Sequence, residues 1–263
     1  MVDFLNKPSY NVYDLKNLMS ALRGPGGCPW DSEQTHKSIR RNLLEEAYEA
    51  AEAIDTGDME HLREELGDVL MQVVFHADMS EKAGSFDLDD IADATCKKLI
   101  RRHPHVFGGE RAKDGAESLE FWEDIKREEK LQETTSEEMS SVARSLPALW
   151  RAEKIQKKAA KSGFDWPEHT GAVEALRAEL QELEDAIASG GNIAEELGDL
   201  IFSAVNVARF FDVDPEGALG FSCDKFVSRF ARLENMAGNQ GRELGDLTLG
   251  EMEELYQQVK LEE

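Results

Sequence analysis

Positive charge is scarce in this chain of 263 residues. It carries 54 aspartates and glutamates against 30 lysines and arginines, a formal net charge of −24. Binding to DNA, RNA or an anionic membrane depends on a cationic surface that releases counterions. The charge balance therefore argues against nucleic acids and membranes as partners, and an anionic substrate would have to arrive together with metal cations.

Cysteine is rare as well. Cys28, Cys96 and Cys223 form no CxxC pair, which argues against a disulfide framework and against a zinc ribbon.

No apolar run approaches the roughly 20 residues of a membrane span. The opening segment "MVDFLNKPSYNVYDL" has no basic stretch followed by an apolar one, as a secretory signal would have. We expect a cytoplasmic protein.

Runs of alternating β-branched residues are absent too, so the pattern of sheet strands is missing. Apolar residues recur instead at helical spacing, as in Leu62, Leu66, Val69 and Val73. The chain also exceeds the roughly 250 residues at which one hydrophobic core usually stops growing. The sequence predicts an all-α fold made of two tandem helical-bundle domains.

An internal repeat supports this division. Four short blocks of the first half recur in the second half, in the same order and at offsets between 127 and 134 residues, which implies a duplication. The blocks are "LEEAYEAAEAI" and "RAELQELEDAI", "EELGDVL" and "EELGDLI", "TCKKLIRR" and "SCDKFVSR", and "FWEDIK" and "ELYQQVK".

A polar stretch, residues 131–147, separates the two copies. Polar residues replace the apolar period there, and Pro147 begins the next segment. We therefore place the boundary near Ser141, with a first domain of residues 1–140, which includes an N-terminal tail, and a second domain of residues 141–263.

Each copy contains two acidic helices joined by a short turn, "TGD" at 56–58 and "SGGN" at 189–192. Short connections make antiparallel neighbours, so the ExxE pair of one helix can face the ExxD pair of the next. The carboxylates are Glu46, Glu49, Glu65 and Asp68 in the first copy and Glu179, Glu182, Glu196 and Asp199 in the second.

A solvated helix face is the simpler explanation of any single pair in an acidic protein. Recurrence in both copies and the flanking leucines favour a helix–helix seam, where unpaired carboxylates would repel each other without cations. All the ligand atoms would be oxygens, which suits Mg²⁺, with Mn²⁺ as a substitute, better than zinc.

Other metal and nucleotide sites fit less well. A di-iron bundle needs Glu-x-x-His on two helices, and neither copy supplies it. The HxH motif of His103 and His105 encloses Pro104, which favours a helix end and a structural role. No GxxxxGK[ST] loop is present, which argues against a P-loop NTPase.

Two cations follow the carboxylates in each copy, Lys98 with Arg102 and Lys225 with Arg229. Their i, i+4 spacing places both on one helical face. Such pairs are common on surfaces, but beside a metal cluster they suit the outer phosphates of a polyphosphate and offset charge on a departing pyrophosphate.

An aromatic residue four positions before a lysine ends each copy, Trp122 with Lys126 and Tyr256 with Lys260. An amphipathic helix with a core aromatic would show the same pattern. Next to phosphate-binding cations, the pattern also indicates a flat surface for a nucleobase, with the lysine near the sugar or the phosphates.

These motifs, taken in order, resemble those of the MazG-type nucleoside triphosphate pyrophosphohydrolases of the all-α NTP-pyrophosphatase group. The resemblance covers nearly the whole chain and includes "GCPWD" at 27–31, "RRHPHVF" at 101–107 and "RSLPAL" at 144–149. It implies hydrolysis of NTPs or dNTPs to a monophosphate and pyrophosphate with Mg²⁺, and a homodimer. Narrower specificity, for dUTP or phosphoribosyl-ATP, and a nucleotide-sensing protein without turnover are the alternatives.

The resemblance also implies roles for individual residues. The family pattern has tryptophan where this chain has Tyr256. We expect the second repeat to carry most of the turnover, because Pro104 stops the first repeat's helix just after Arg102. In the second repeat the metal ligands would be Glu179, Glu182, Glu196 and Asp199, the catalytic residues Glu195, Glu196, Lys225 and Arg229, and the nucleotide-binding residues Lys225, Arg229, Tyr256 and Lys260. The equivalent first-repeat set is Glu46, Glu49, Glu65, Asp68, Lys98, Arg102, Trp122 and Lys126.

Overall fold

The computed structural model describes residues 6–109 and 111–262, and every regular element in these ranges is a helix. The all-α prediction is confirmed. The α-helices are α1 (Val12–Leu22), α2 (Pro29–Glu33), α3 (Arg40–Thr56), α4 (Met59–Lys82), α5 (Leu88–Arg102), α6 (Pro104–Phe107), α7 (Gly115–Glu129), α8 (Thr135–Ser140), α9 (Ala148–Lys161), α10 (His169–Ser189), α11 (Ile193–Phe210), α12 (Pro215–Asn239) and α13 (Leu249–Leu261), with a 3₁₀ turn at Leu244–Asp246.

The chain forms two compact units that meet in sequence between Lys126 and Arg127. This boundary between the compact units lies inside α7. It precedes the polar stretch, residues 131–147, that contains the predicted repeat boundary. The boundary near Ser141 stays a prediction about where the duplication joins. No helix in the described part of the chain has the length and apolar character needed to cross a membrane.

An antiparallel hairpin of α3 and α4 dominates the first unit, and the predicted turn at residues 56–58 joins its helices. Gly57 has φ 72°, in the left-handed region that favours glycine. Asp58 then caps α4 by accepting hydrogen bonds from the backbone N–H groups of Glu60 and His61. This two-residue connection, Gly57 and Asp58, sets α3 directly against α4.

The second unit repeats the hairpin with α10 and α11. Helix α10 ends at Ser189, and Gly190 adopts φ 74°. Helix α11 begins at Ile193, in agreement with the turn predicted at residues 189–192. Both turns therefore contain a left-handed glycine, which one residue separates from the start of α4 and two residues separate from the start of α11.

The apolar core of the first unit lies at the C-terminal half of α4. Phe75, Val74 and Met79 pack there with residues of α1, α5 and the segment before α3. Asp78 on the same stretch of α4 forms a buried ion pair with Arg23, 2.8 Å from Nε to Oδ2, and Lys82 lies 2.8 Å from the same oxygen. Breaking one partner of such a pair strands a buried charge, so this end of α4 is firmly held.

The core of the second unit joins α12 to α13. Leu233, Ala237, Leu247 and Leu255 are buried there, and Tyr256 packs against them at the margin. Helix α12 continues ten residues past Arg229, whereas α5 ends at Arg102. The predicted difference in length between the two cation-bearing helices is confirmed.

A histidine pair ties the segment before α3 to α4. The Nδ1 atoms of His36 and His76 are 2.7 Å apart, and the two rings lie 2° from parallel. One proton can bridge these nitrogens, but two protonated nitrogens at this distance would repel. Burial lowers the pKa of His76 below its usual 6.5, and the charge of His36 lowers it further.

The lowered pKa of His76 makes stability depend on pH. The unfolded chain binds this proton more readily than the folded chain, so this contribution is present above pH 6.5 and is lost as the pH falls. We expect His76→Asn to reduce the slope of the unfolding free energy between about pH 5 and pH 7, measured by urea unfolding. The exposed His169, changed to Asn, is the control, and an unaltered slope in His76→Asn would contradict the prediction.

Candidate functional site

Three of the four predicted carboxylates of the first repeat meet at the α3–α4 seam. Glu46 and Glu49 come from α3 and Glu65 from α4, and each offers an oxygen within 4.8 Å of the other two. Their i, i+3 spacing on α3 places the first two on one face. The hairpin therefore brings together the residues that the sequence places 16 positions or more apart on separate helices.

The electrostatics of this cluster are those of crowded like charges. Burial raises the pKa of Glu46, and the charges of Asp68, Glu49 and Glu65 raise it further. Asp68 stands outside the tight trio but still acts on Glu46. The negative charges of the other three predicted ligands therefore all act on Glu46. A bound cation would offset this repulsion between carboxylates.

Glu65 is the most enclosed member of the cluster, with 7% of its surface exposed. Its Oε2 is buried and has no hydrogen-bond partner among the described residues. Its Oε1 lies 3.0 Å from Nε2 of His61, one helical turn earlier. A buried carboxylate oxygen without a partner is costly, and this one, next to further carboxylates, fits a hard divalent cation.

The second repeat forms the corresponding cluster between α10 and α11. Oxygens of Glu179, Glu196 and Asp199 lie within 4.8 Å of one another. Burial, followed by the charges of Glu182, Asp199 and Glu196, raises the pKa of Glu179. Burial, followed by Glu182, Glu195 and Asp199, likewise raises the pKa of Glu196. Glu182 thus belongs to the cluster electrostatically, as Asp68 does in the first repeat.

Glu195 lies beside the second cluster and is exposed. The side-chain amide of Asn192 donates a hydrogen bond of 2.9 Å to its Oε2. Glu195 is close enough to raise the pKa of Glu196. Asn192 therefore holds the carboxylate of Glu195 at the rim of the anionic cluster.

Two cations of the first repeat, Arg102 and Lys126, lie beside the ring of Trp122. The guanidinium of Arg102 lies 5.0 Å and the ammonium of Lys126 4.6 Å from the centre of the Trp122 ring, both within cation–π range. Lys98 is exposed one turn earlier on α5.

The second repeat arranges its equivalents differently. Lys225 lies 5.4 Å from the ring centre of Phe221, and the ring of Tyr256 lies 6.0 Å from that of Phe226. Tyr256 is half-buried and touches the α12–α13 core, while Arg229 is half-buried and Lys260 exposed. Tyr256 therefore packs against the core while part of its surface stays accessible.

His61 lies outside the predicted site residues, although a histidine four residues before a glutamate on a helix indicates an i, i+4 contact. The HxH motif, in contrast, behaves as a helix end. His103 is the C-terminal cap of α5, and its Nδ1 lies 2.6 Å from the carbonyl oxygen of Leu99.

Comparison with known proteins places these clusters in a family. The model of the MazG nucleotide pyrophosphohydrolase domain matches residues 34–107 and 168–232, which hold both carboxylate clusters. The chain is 42% identical over 247 residues to the nucleoside triphosphate pyrophosphohydrolase/pyrophosphatase MazG of Thermotoga maritima, covering 94% of each chain.

Two further relatives agree. The nucleoside triphosphate pyrophosphohydrolase of Escherichia coli K12 is 43% identical over 254 residues, or 95% of this chain and 97% of that one. The uncharacterized protein YabN of Bacillus subtilis is 43% identical over 250 residues, which make up half of its length. The double domain match and the nearly full-length similarity to the Thermotoga maritima and Escherichia coli proteins show that the chain belongs to the MazG nucleotide pyrophosphohydrolase family.

Proposed function

We propose that this protein is a nucleoside triphosphate pyrophosphohydrolase, a hydrolase acting on acid anhydrides, which converts NTPs and dNTPs to monophosphates and pyrophosphate. The observation that carries the proposal is the carboxylate cluster that recurs at both helical hairpins, inside the two regions that match the family model. The names of the full-length relatives support the same activity.

The carboxylates would hold Mg²⁺, or Mn²⁺ in its place. The unpartnered Oε2 of Glu65 and the raised pKa values of Glu46, Glu179 and Glu196 support a cation at each seam. When bound, such an ion supplies positive charge against phosphate oxygens and makes water more acidic. The proposed ligands are Glu46, Glu49, Glu65 and Asp68 in the first repeat and Glu179, Glu182, Glu196 and Asp199 in the second.

The other residues of the second repeat would position the reactants. Glu195, held by Asn192, accepts the proton of the water that attacks the α-phosphorus. The bond from this phosphorus to the bridging oxygen breaks, and Lys225 and Arg229 offset the charge on the leaving pyrophosphate. The partly exposed ring of Tyr256 would contact the nucleobase, and Lys260 would lie toward the sugar or phosphates.

A homodimer is proposed as the working assembly. Helix α12 exposes large apolar side chains, among them Phe221 with 68% and Val227 with 65% of their surface accessible. A helix with an uncovered apolar face needs further helices to complete a bundle, and two-fold symmetry is the most common way to supply them.

The products distinguish this function from its alternatives. We expect purified protein with Mg²⁺ to release pyrophosphate and a monophosphate from several NTPs and dNTPs, and to release none with EDTA, because the carboxylate clusters need cations. Chromatography of the products over a nucleotide panel is the measurement. Orthophosphate and a diphosphate would contradict attack at the α-phosphorus, turnover of one nucleotide alone would indicate narrow specificity, and binding without turnover would indicate a sensor.

The two repeats can be compared by matched, nearly isosteric substitutions. We expect Glu179→Gln with Glu182→Gln to abolish most turnover and Glu46→Gln with Glu49→Gln to leave most of it. The reason is that α12 continues past Arg229 and holds its cations in one rigid frame, whereas α5 ends at Arg102. Steady-state pyrophosphate release is the measurement, and a larger loss in the first double variant would reverse the assignment.

The dimer is tested at the exposed face of α12. We expect light scattering at micromolar concentration to give twice the mass of the chain, and Phe221→Asp with Val227→Asp to shift it toward the monomer, because buried unpaired charges are costly. Leu131→Asp, at another highly exposed apolar residue, is the control. A monomeric wild-type chain with full activity would refute the proposal.

A further inference from the structure

His61 contacts the most buried carboxylate of the first cluster. It lies on α4 one turn before Glu65, and its Nε2 is 3.0 Å from Glu65 Oε1. The histidine ring is partly accessible, with 41% of its side chain exposed, whereas that of Glu65 is 9% exposed. The contact therefore joins the partly exposed imidazole of His61 to the enclosed carboxylate of Glu65.

The two oxygens of Glu65 consequently have different surroundings. Oε1 faces His61, and Oε2 is buried without a hydrogen-bond partner among the residues described. Because both oxygens belong to one planar group, fixing Oε1 also fixes the direction of Oε2. The carboxylate of Glu65 meets those of Glu46 and Glu49 within 4.8 Å, so its orientation decides the geometry of the cluster.

The second repeat lacks this arrangement. At the offset of 131 that aligns "EELGD" in the two copies, Asn192 takes the place of His61 and Glu196 the place of Glu65. The amide of Asn192 donates to Glu195, the neighbour of Glu196. Glu196 is also more accessible than Glu65. In the first repeat, a neighbouring side chain contacts the buried carboxylate of Glu65. In the second repeat, the equivalent side chain contacts the exposed carboxylate of Glu195 instead.

We propose that His61 is a positioning residue that orients Glu65, so that the first carboxylate cluster is preorganised for a divalent cation. This inference rests on the metal-binding role proposed above. Partners that orient metal-ligating groups contribute about ten- to hundred-fold to metal affinity. The first cluster, with a braced and enclosed ligand, then retains its ion, whereas the second, open cluster exchanges ions along with substrate.

The affinity of the first cluster for Mn²⁺ tests the role of His61. The full chain with Glu196→Gln and Asp199→Asn, which disables the second cluster, is titrated with Mn²⁺ by calorimetry. His61→Ala in this background should weaken binding about ten- to hundred-fold. His61→Gln should recover most of the affinity, because its amide N–H can reach Glu65 from the same position. Arg63→Ala, at an exposed residue of the same helix turn, should leave binding unchanged.

The possible outcomes distinguish a failure of the His61 inference from a failure of the proposed function. Unchanged Mn²⁺ affinity in His61→Ala overturns the inference, as does absence of Mn²⁺ binding in the background chain. Equal weakening by Ala and Gln, together with equal losses of metal-free melting temperature, would identify a structural residue instead and also overturn it. Pyrophosphate release by the chain with an intact second cluster is measured alongside, and failure there contradicts the proposed function independently of His61.

Discussion

Repulsion between carboxylates at a helix–helix seam is the constraint on which the rest of each unit depends. Antiparallel helices normally bury apolar side chains where they meet, yet α3 and α4 place Glu46, Glu49 and Glu65 there. The unit tolerates the repulsion because the helices are held together elsewhere. A two-residue turn joins one end, and the Phe75 core with the Arg23–Asp78 ion pair secures the other.

The same constraint explains why the two units differ in detail. A crowded anionic site can be kept in place by burial and a local partner, as His61 provides for Glu65, or left open to solvent, as at Glu196. A buried carboxylate keeps a fixed geometry, whereas an exposed carboxylate can be reached by ions and substrate. A duplicated hairpin allows each copy to favour one of these properties while the fold stays the same.

Much of this architecture could be predicted from the sequence. The helical period predicted an all-α fold, and the "TGD" and "SGGN" segments predicted both hairpin turns, because left-handed glycines and helix caps are local features. Pro104 predicted where α5 ends. The repeated ExxE and ExxD spacing predicted the two clusters, since helical geometry and a short turn suffice to bring the pairs together.

Other features depended on packing that no local pattern specifies. Asp68 and Glu182 stand just outside the two tight trios, although the sequence treats all four ligands of a repeat alike. The contact of Arg102 on α5 with Trp122 on α7, and that of Tyr256 on α13 with Phe226 on α12, depends on how separate helices meet. The roles of the individual site residues, and the boundary near Ser141, stay predictions.

The position of the apolar core along α4 has a consequence for motion. Buried apolar contacts concentrate between Val74 and Met79, while the half of the helix that begins at Met59 carries carboxylates. Amide hydrogen exchange reports such differences, because segments with few buried contacts open without global unfolding. We therefore expect α4 to show a gradient of protection, with the slowest exchange near Phe75 and the fastest near its first turn. A ligand that neutralises the carboxylates should slow exchange at the fast end and barely alter it at the slow end.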